Sequence, residues 1–130
     1  MQPCEELKNL VLRHYGKFSA GSQSETIQEM YSLQEGVVII GAGPDEWFDD
    51  REGILRVIKE GSSTKLDIDI QNIYGCCEGS VGWTMDRVSV RLPNGNTLPM
   101  RHTRIFHQED GKWRMVHLHV SVSAIEEQLG

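Results

Sequence analysis

The spacing of apolar residues changes once along this chain, near Lys65, and the change limits the folds that the chain can adopt. Up to that point apolar residues recur every three or four positions, as they do over residues 7–18, and this spacing is typical of amphipathic helices. Beyond it, from residues 66–70 onward, apolar and polar residues alternate, as in strands with one solvated face. The order predicts an α+β fold in which helices pack on one face of a curved antiparallel sheet.

Three helices and one short strand are predicted before Lys65. Capping residues indicate where the helices begin, and glycines indicate where they end. In chain order the expected elements are a helix that ends with Phe18, a helix from a capping box of Ser22 and Glu25 to about Gly36, a buried strand at 37–40, and a helix from Asp49 or Asp50 to Gly61.

Four strands of an antiparallel meander are predicted after Lys65. Turn-forming sequences at 93–96 and 109–111 bound the last two of them, because such residues favour tight hairpins. The apolar positions change parity after Met85. This change predicts a bulge near Asp86 and Arg87 if both sets of apolar residues are buried.

Length and charge exclude several classes of protein. The chain has 130 residues, which predicts a single domain covering 1–130. Nineteen acidic residues against thirteen Lys and Arg give a net charge of -6, which disfavours binding to nucleic acid or to a membrane surface. No apolar run is long enough to span a bilayer, and the first six residues are acidic where a signal peptide would be basic. A cytoplasmic location is expected.

A glycine motif near residue 41 resembles part of a dinucleotide-binding fingerprint. Gly41 and Gly43 follow a short strand, but Glu46 occupies the place of the third glycine. An acidic residue there would repel phosphates, and no crossover helix leads to a second parallel strand. The motif is interpreted as a buried strand that ends in a turn, and no organic cofactor is expected.

Histidines on the last two strands form the second cofactor candidate. His117 and His119 could join His102 or His107 around a zinc ion. The carboxylates that would orient such ligands are confined to one turn of the meander. We therefore expect hydrogen-bonded structural histidines and no metal. The three cysteines match neither a disulfide framework nor a zinc pattern and are interpreted as reduced thiols.

The last third of the chain resembles a known family. The segments RHTRIFH at 101–107 and DGKWRMVHLHVS at 110–121 resemble the final hairpin of the nuclear-transport-factor-2-like superfamily. Within this superfamily the two segments closely resemble the association (hub) domain of calcium/calmodulin-dependent kinase II and SnoaL-like proteins. The segment PDEWF at 44–48 also resembles SnoaL-like sequences. The resemblance implies a cone-shaped, cystatin-like fold, in which a curved sheet and three N-terminal helices enclose a pocket, and usually a dimer.

The resemblance also suggests site residues. Ketosteroid isomerase, a relative, uses a helical tyrosine, a carboxylate base after the first strand and an acid on the penultimate strand. By this resemblance Tyr15 occupies the position of that tyrosine. Asp45 is among the carboxylates nearest to the position of the base, and Thr103 occupies the position of the second acid. Kinase association domains bind small carboxylates through arginines, one of which Arg104 matches.

The chain itself adds further candidates. Either Arg101 or Arg104 could neutralise an oxyanion, and alternation along a strand lets only one of them face the pocket. Aromatic residues in the loop before the third helix and in the meander could shape the pocket. The expected catalytic residues are Tyr15, Asp45 and His119, and the expected ligand-binding residues are Trp47, Trp83, Arg101, Thr103 and Arg104.

Together these features predict a SnoaL-like protein that binds a small, partly apolar molecule, with anions among the candidates. If the protein is an enzyme, the expected class is a cofactor-independent isomerase, cyclase or dehydratase. The alternative is a non-catalytic ligand-binding or oligomerisation module like the kinase hub. A convex sheet face rich in Trp, Met and His predicts a homodimer, because a monomer would expose a large apolar patch.

Overall fold

The computed structural model describes residues 1–123, and it confirms the predicted α+β fold. A curved, unclosed sheet carries three helices on one face, which we call the inner face; the opposite face is the outer face. In chain order the elements are β1 (Gln2–Pro3), α1 (Glu5–Phe18), α2 (Ser24–Met30), β2 (Val38–Ile40), β3 (Trp47–Phe48), α3 (Arg51–Ser63), β4 (Asp67–Glu78), β5 (Val81–Arg91), β6 (Thr97–Glu109) and β7 (Lys112–Val122).

The sheet has the strand order β1-β4-β5-β6-β7-β2-β3. The four long strands form the predicted antiparallel meander. The turn between β6 and β7 has positive φ at Asp110 (52°) and Gly111 (78°), as a two-residue hairpin requires. In addition, β2 runs parallel to β7 and pairs Ile39 with Leu118. The sheet is therefore mixed: a segment distant in sequence adds one parallel pair to the antiparallel meander.

The bulges lie elsewhere than predicted. In β5 the even-numbered residues are buried and Val81 is exposed, so the condition for a bulge near Asp86 and Arg87 is not met. Instead the register shifts at Gln71 of β4 and at Val116 of β7. Each shift places an extra residue in one strand, which lets the sheet bend around the helices.

The second helix begins and ends differently from its prediction. Its N-cap is Gln23, without a capping side chain, and it ends at Met30, well before Gly36. The Gln23 side chain instead donates to the Gly61 carbonyl (3.0 Å) and ties the start of α2 to the end of α3. A long-range contact thus replaces the predicted capping box.

The third helix begins as predicted at Asp50, whose carboxylate accepts the Gly53 amide at 2.7 Å. It continues two residues beyond Gly61 to Ser63. None of the described helices is long and apolar enough to cross a membrane.

The first helix lies unusually close to the sheet. A Cβ on Gly75 of β4 would lie 2.6 Å from the Cys4 carbonyl oxygen and 3.0 Å from the Lys8 amide nitrogen, both backbone atoms. A Cβ on Gly82 of β5 would lie 2.2 Å from Leu7 Cδ1. The two glycines therefore allow the approach of α1, whose buried Leu7 and Val11 join the core.

This contact predicts opposite effects for two glycine substitutions. Gly75→Ala should lower the free energy of unfolding by about 1 to 3 kcal/mol, because backbone must move to admit the methyl group. Gly16→Ala on α1 should raise it by about 0.5 to 1 kcal/mol, because nothing lies within 4 Å of the new Cβ and alanine favours the helix. Urea titration followed by circular dichroism measures both. Equal effects would contradict the close approach.

Candidate functional site

Four buried polar side chains meet where α1 crosses the inner face of the sheet. Asp86 comes from β5, His102 and Arg104 from β6, and Tyr15 from α1; we call these four residues the Asp86 cluster. Asp86 and His102 lie directly opposite each other in the β5–β6 register. Alternation along β6 then places Arg104 on the same face, and all four side chains are almost inaccessible to solvent.

Hydrogen bonds occupy both oxygens of the Asp86 carboxylate. Oδ2 accepts from Arg104 Nη1 at 2.7 Å and from the Tyr15 hydroxyl at 2.8 Å. Oδ1 lies 2.8 Å from His102 Nδ1. Arg104 Nη2 donates to the Tyr15 oxygen at 3.1 Å, and the guanidinium carbon lies 5.2 Å from the centre of the tyrosine ring. The Asp86 carboxylate therefore contacts each of the other three side chains of the cluster.

These contacts determine the charges. Burial alone would raise the pKa of Asp86, but the His102 hydrogen bond and the charge of Arg104 reverse this and lower it. Burial acts against the charged form of Arg104, but Tyr15 and Asp86 outweigh it and raise its pKa. Burial also raises the pKa of Tyr15. The carboxylate and guanidinium are both charged at neutral pH, so their charges cancel.

His102 is the uncharged member of the cluster that can accept a proton. Burial and the charge of Arg104 lower its pKa below 6.5, against the opposing effect of Asp86. An ionised carboxylate only accepts hydrogen bonds, so Nδ1 of the neutral ring carries the proton that Asp86 binds. Nε2 therefore carries the lone pair, with its ring held in place by the carboxylate.

A second buried imidazole stands nearby on α1. His14 Nδ1 lies 2.9 Å from Thr26 Oγ1, and that hydroxyl donates its proton to the Gln23 carbonyl, also at 2.9 Å. The hydroxyl must then accept from His14, so Nδ1 carries the proton. Burial, together with the charge of Arg104 and the proximity of His102, lowers the pKa of His14 to about 3. His14 is therefore neutral, with the lone pair on Nε2.

Both histidines line a cavity of about 160 Å³. Its polar wall is formed by His14, Tyr15, Tyr31, His102 and Arg104. The rest of the lining consists of Gly61 and apolar side chains: Phe18, Ile27, Val57, Leu66, Ile68, Val88, Val90, Met100 and Leu118. Depressions of about 430 and 520 Å³ occur elsewhere, but their ionisable side chains are exposed. A further depression of about 240 Å³ is lined by Asp86 and His102 together with exposed side chains such as Tyr74 and Arg101. The inner cavity is the candidate site because it brings His102 together with His14, Tyr15 and Arg104.

The structure separates the two arginine candidates. Arg104 faces inward and is 3% exposed, whereas Arg101 and Thr103 lie on the outer face and are exposed. The inward arginine is already paired with Asp86. Of the predicted catalytic residues, only Tyr15 reaches the cavity.

The other predicted site residues lie away from the cavity. His119 is exposed on the outer side of β7, and Asp45 is exposed in the loop before β3. Trp47 is 60% exposed, and its indole donates to Asp49 at 3.2 Å. Trp83 is half-buried on the outer face of β5. Among the described residues no group of three or more His, Cys, Asp or Glu side chains could hold a metal ion.

Sequence reasoning missed Asp86, His14 and the role of His102. The sequence pattern favours a hydrogen-bonded structural role for His102 over zinc binding, and it assigns Asp86 no role in a site. The available signal was parity: Asp86 shares the buried parity of Val88 and Val90. A carboxylate at a core position of a strand requires partners, and this requirement points to a buried cluster.

The outer face of the sheet carries exposed apolar side chains. Tyr74, Val81 and Ile105 are 58%, 43% and 37% exposed and come from β4, β5 and β6. Half-buried Trp83 and Met85 lie among them. His117, on the same face, donates from Nδ1 to the Val38 carbonyl at 2.8 Å. This patch is not covered by any described part of the chain.

A family model of the SnoaL-like domain matches residues 9–125. No curated protein matches the chain. Among solved structures, an NTF2-like protein of unknown function from Pseudomonas putida KT2440 is similar with a TM-score of 0.75 and 14% identity, over 95% of this chain and 89% of that one.

Two further solved structures have the same fold. A candidate ketosteroid isomerase from Parabacteroides distasonis aligns with a TM-score of 0.72 and 12% identity, over 92% of this chain and 89% of that one. A candidate calcium/calmodulin-dependent protein kinase II association domain from Xanthomonas campestris aligns with a TM-score of 0.66 and 17% identity, over 94% and 87%. At such low identity these structures show the shared fold alone.

Proposed function

Because the chain belongs to the SnoaL-like domain family, we propose that it binds a small molecule in the inner cavity and catalyses a proton transfer without a cofactor. His102 is the general base, acting through Nε2. The observation that carries the proposal is the 2.8 Å contact between Asp86 Oδ1 and Nδ1 of His102, a residue that lines that cavity.

Asp86 acts on the base rather than on the ligand. By accepting the Nδ1 proton it fixes the ring orientation and the tautomer, so that the Nε2 lone pair is available. When Nε2 takes a proton from the ligand, the imidazolium forms beside a carboxylate in a buried site, where this charge stabilises it. Asp86 is therefore a positioning residue.

Arg104 supplies the complementary group. Two of its nitrogens are bound within the cluster, but Nε has no hydrogen-bond partner in the described chain and is buried. A charged N–H group in the cavity wall can stabilise the oxygen on which negative charge develops as a proton is removed. Base and donor together favour isomerisation, cyclisation or dehydration. The Tyr15 hydroxyl donates to Asp86 and holds the cluster in place.

Turnover of benzisoxazole tests this proposal, because the ring opens when a base removes its C–H proton. The proton moves to Nε2, a carbon–nitrogen triple bond forms, the N–O bond breaks and a cyanophenolate leaves. The pKa of His102 lies below 6.5, and only the neutral ring is a base. We expect kcat/KM to be level near neutrality and to fall as the pH drops through a value below 6.5. A rate that rises as the pH falls would contradict the proposal.

A second function, assembly through the outer face, is favoured by the exposed patch of Tyr74, Val81 and Ile105. Soluble proteins rarely leave such a surface uncovered. One similar structure is described as a candidate association domain. We propose a homodimer in which two outer faces pack together, and this assembly is compatible with chemistry on the inner face.

Light scattering at micromolar concentration tests the dimer. The wild type should have twice the mass of one chain, and Ile105→Glu should give monomers, because the interface would bury a charge. Leu55→Glu is the matched control: Leu55 is 44% exposed on α3, so this variant should remain dimeric. A wild type that is entirely monomeric would exclude the outer-face dimer.

A further inference from the structure

We propose that the inner cavity selects uncharged, single-ring molecules that carry two hydrogen-bond donors, such as dihydroxylated rings, in preference to carboxylates. The inference concerns the same cavity as the proposed function and rests on it for the role of the site. It names the ligand chemistry, which the family relationship leaves open.

Two hydrogen-bond acceptors in the cavity wall carry the argument. The hydrogen bonds of His102 and His14 within the described chain all run through Nδ1. In each ring the partner requires Nδ1 to hold the proton: Asp86 for His102, and Thr26 for His14. Both Nε2 atoms are therefore acceptors, and both rings line the same cavity. A ligand that donates two hydrogen bonds satisfies both.

The charge of the site does not favour an anion. The Arg104 guanidinium lies 2.7 Å from the Asp86 carboxylate, and these side chains are 4% and 0% exposed. Because His14, His102 and Tyr15 are neutral, the polar wall taken together with Asp86, the partner of Arg104, has no net charge. A carboxylate would face two imidazole lone pairs after losing its own hydration, which is costly in a buried site. A hydroxyl group avoids this cost and can also accept from Arg104 Nε.

The size of the cavity limits the rest of the ligand. Its volume of about 160 Å³ is close to the roughly 150 Å³ of an engineered cavity that binds benzene. Beyond the polar wall the lining consists of aliphatic and aromatic side chains. One ring with short polar substituents matches both the volume and the lining.

A series of four probes of similar shape tests the inference by calorimetry at pH 7.5. Resorcinol has two hydroxyl donors, 3-methoxyphenol has one, 1,3-dimethoxybenzene has none, and benzoate carries a charge. We expect the dissociation constant to rise about three- to tenfold for each donor removed, and benzoate to bind more weakly than 3-methoxyphenol. Equal affinities along the series, tighter binding of benzoate, or no binding of any probe would overturn the inference.

Variants of His14 assign the second acceptor. His14→Phe should remove the difference between resorcinol and 3-methoxyphenol, whereas His107→Phe, on the outer side of β6, should preserve it. If His14→Phe does not fold, His14→Gln, whose amide oxygen can still accept, should preserve the order of affinities. Loss of that order in a folded His14→Gln variant would contradict the role of an acceptor at this position.

The two proposals can fail separately. Turnover of benzisoxazole requires the base at His102 but no donor on the ligand. If benzisoxazole is turned over while the probes show no donor preference, the proposed function stands and the ligand class is wrong. If resorcinol binds selectively and benzisoxazole binds in the same calorimetric assay but is not turned over, the cavity is a binding site without the proposed chemistry.

Discussion

Replacement of Asp86 by asparagine is expected to lower the free energy of unfolding by about 3 to 5 kcal/mol. The carboxylate is buried and accepts hydrogen bonds from Arg104 and Tyr15 on one oxygen and from His102 on the other. Asparagine removes the charge that offsets the Arg104 guanidinium, which would remain buried and uncompensated. Denaturation in urea, followed by circular dichroism, measures the change.

Two further variants make this prediction specific. Asp67→Asn breaks an exposed ion pair with Arg91 (3.6 Å, side chains 70% and 65% exposed), so the same substitution should cost less than about 1 kcal/mol there. Combining Asp86→Asn with Arg104→Met removes the unpaired charge and should recover part of the loss. If Asp86→Asn and Asp67→Asn have equal effects, Asp86 does not hold the cluster together.

The contribution of Asp86 should also depend on pH. Its pKa in the folded protein lies below the ordinary value of 3.8, so its stabilising effect is fully present above that value. The effect is lost as the pH falls through the folded pKa. The difference in stability between the wild type and Asp86→Asn should be constant near neutrality and should narrow below about pH 4.

Replacement of His102 by glutamine is expected to lower kcat/KM for benzisoxazole by about 100- to 10,000-fold, the range attributed to general bases. Glutamine is similar in size and its amide can donate to Asp86, but it is not a base at neutral pH. Kinetics of the variant across pH measure the effect, and the residual rate should no longer fall at low pH. His107→Gln, the same change on the outer side of β6, should retain the wild-type rate.

Chemical rescue distinguishes a base from a structural residue. In His102→Ala the space left by the ring should admit free imidazole, and added imidazole should restore part of the benzisoxazole rate. A purely structural histidine would give no such recovery. A His102→Gln variant that keeps the wild-type rate and its pH dependence would remove His102 from the mechanism.

Local sequence patterns predicted the features of this fold that depend on residues close together in the sequence. Alternation and turn residues predicted the meander, and the final hairpin indicated a SnoaL-like relationship, which the family match confirms. The capping box at Ser22 failed because Gln23 is bound to Gly61, a residue distant in sequence. Pairing of β2 with β7 was also not predictable, since nothing in residues 37–40 encodes the partner.

The site was less accessible from the sequence for a related reason. Alternation showed that Arg101 and Arg104 face opposite sides, but it does not say which side the helices cover. That depends on the packing of α1, which brings Tyr15 against β5 and β6. Asp86 can be identified as a buried residue only once it is known that the even-numbered residues of β5, such as Val88, face the core. The tautomers of the histidines follow from hydrogen-bond partners and have no sequence signal.

The two outermost strands of the described sheet, β1 and β3, contain two residues each. Pro3 in β1 lacks an amide hydrogen. The part of β4 that β1 leaves unpaired carries Asp67 and Asp69 and is interrupted at Gln71. Such edges resist the addition of strands from other molecules. The proposed dimer uses the outer face instead, and pairing of two identical surfaces would be complete at two copies and would not propagate into a fibre.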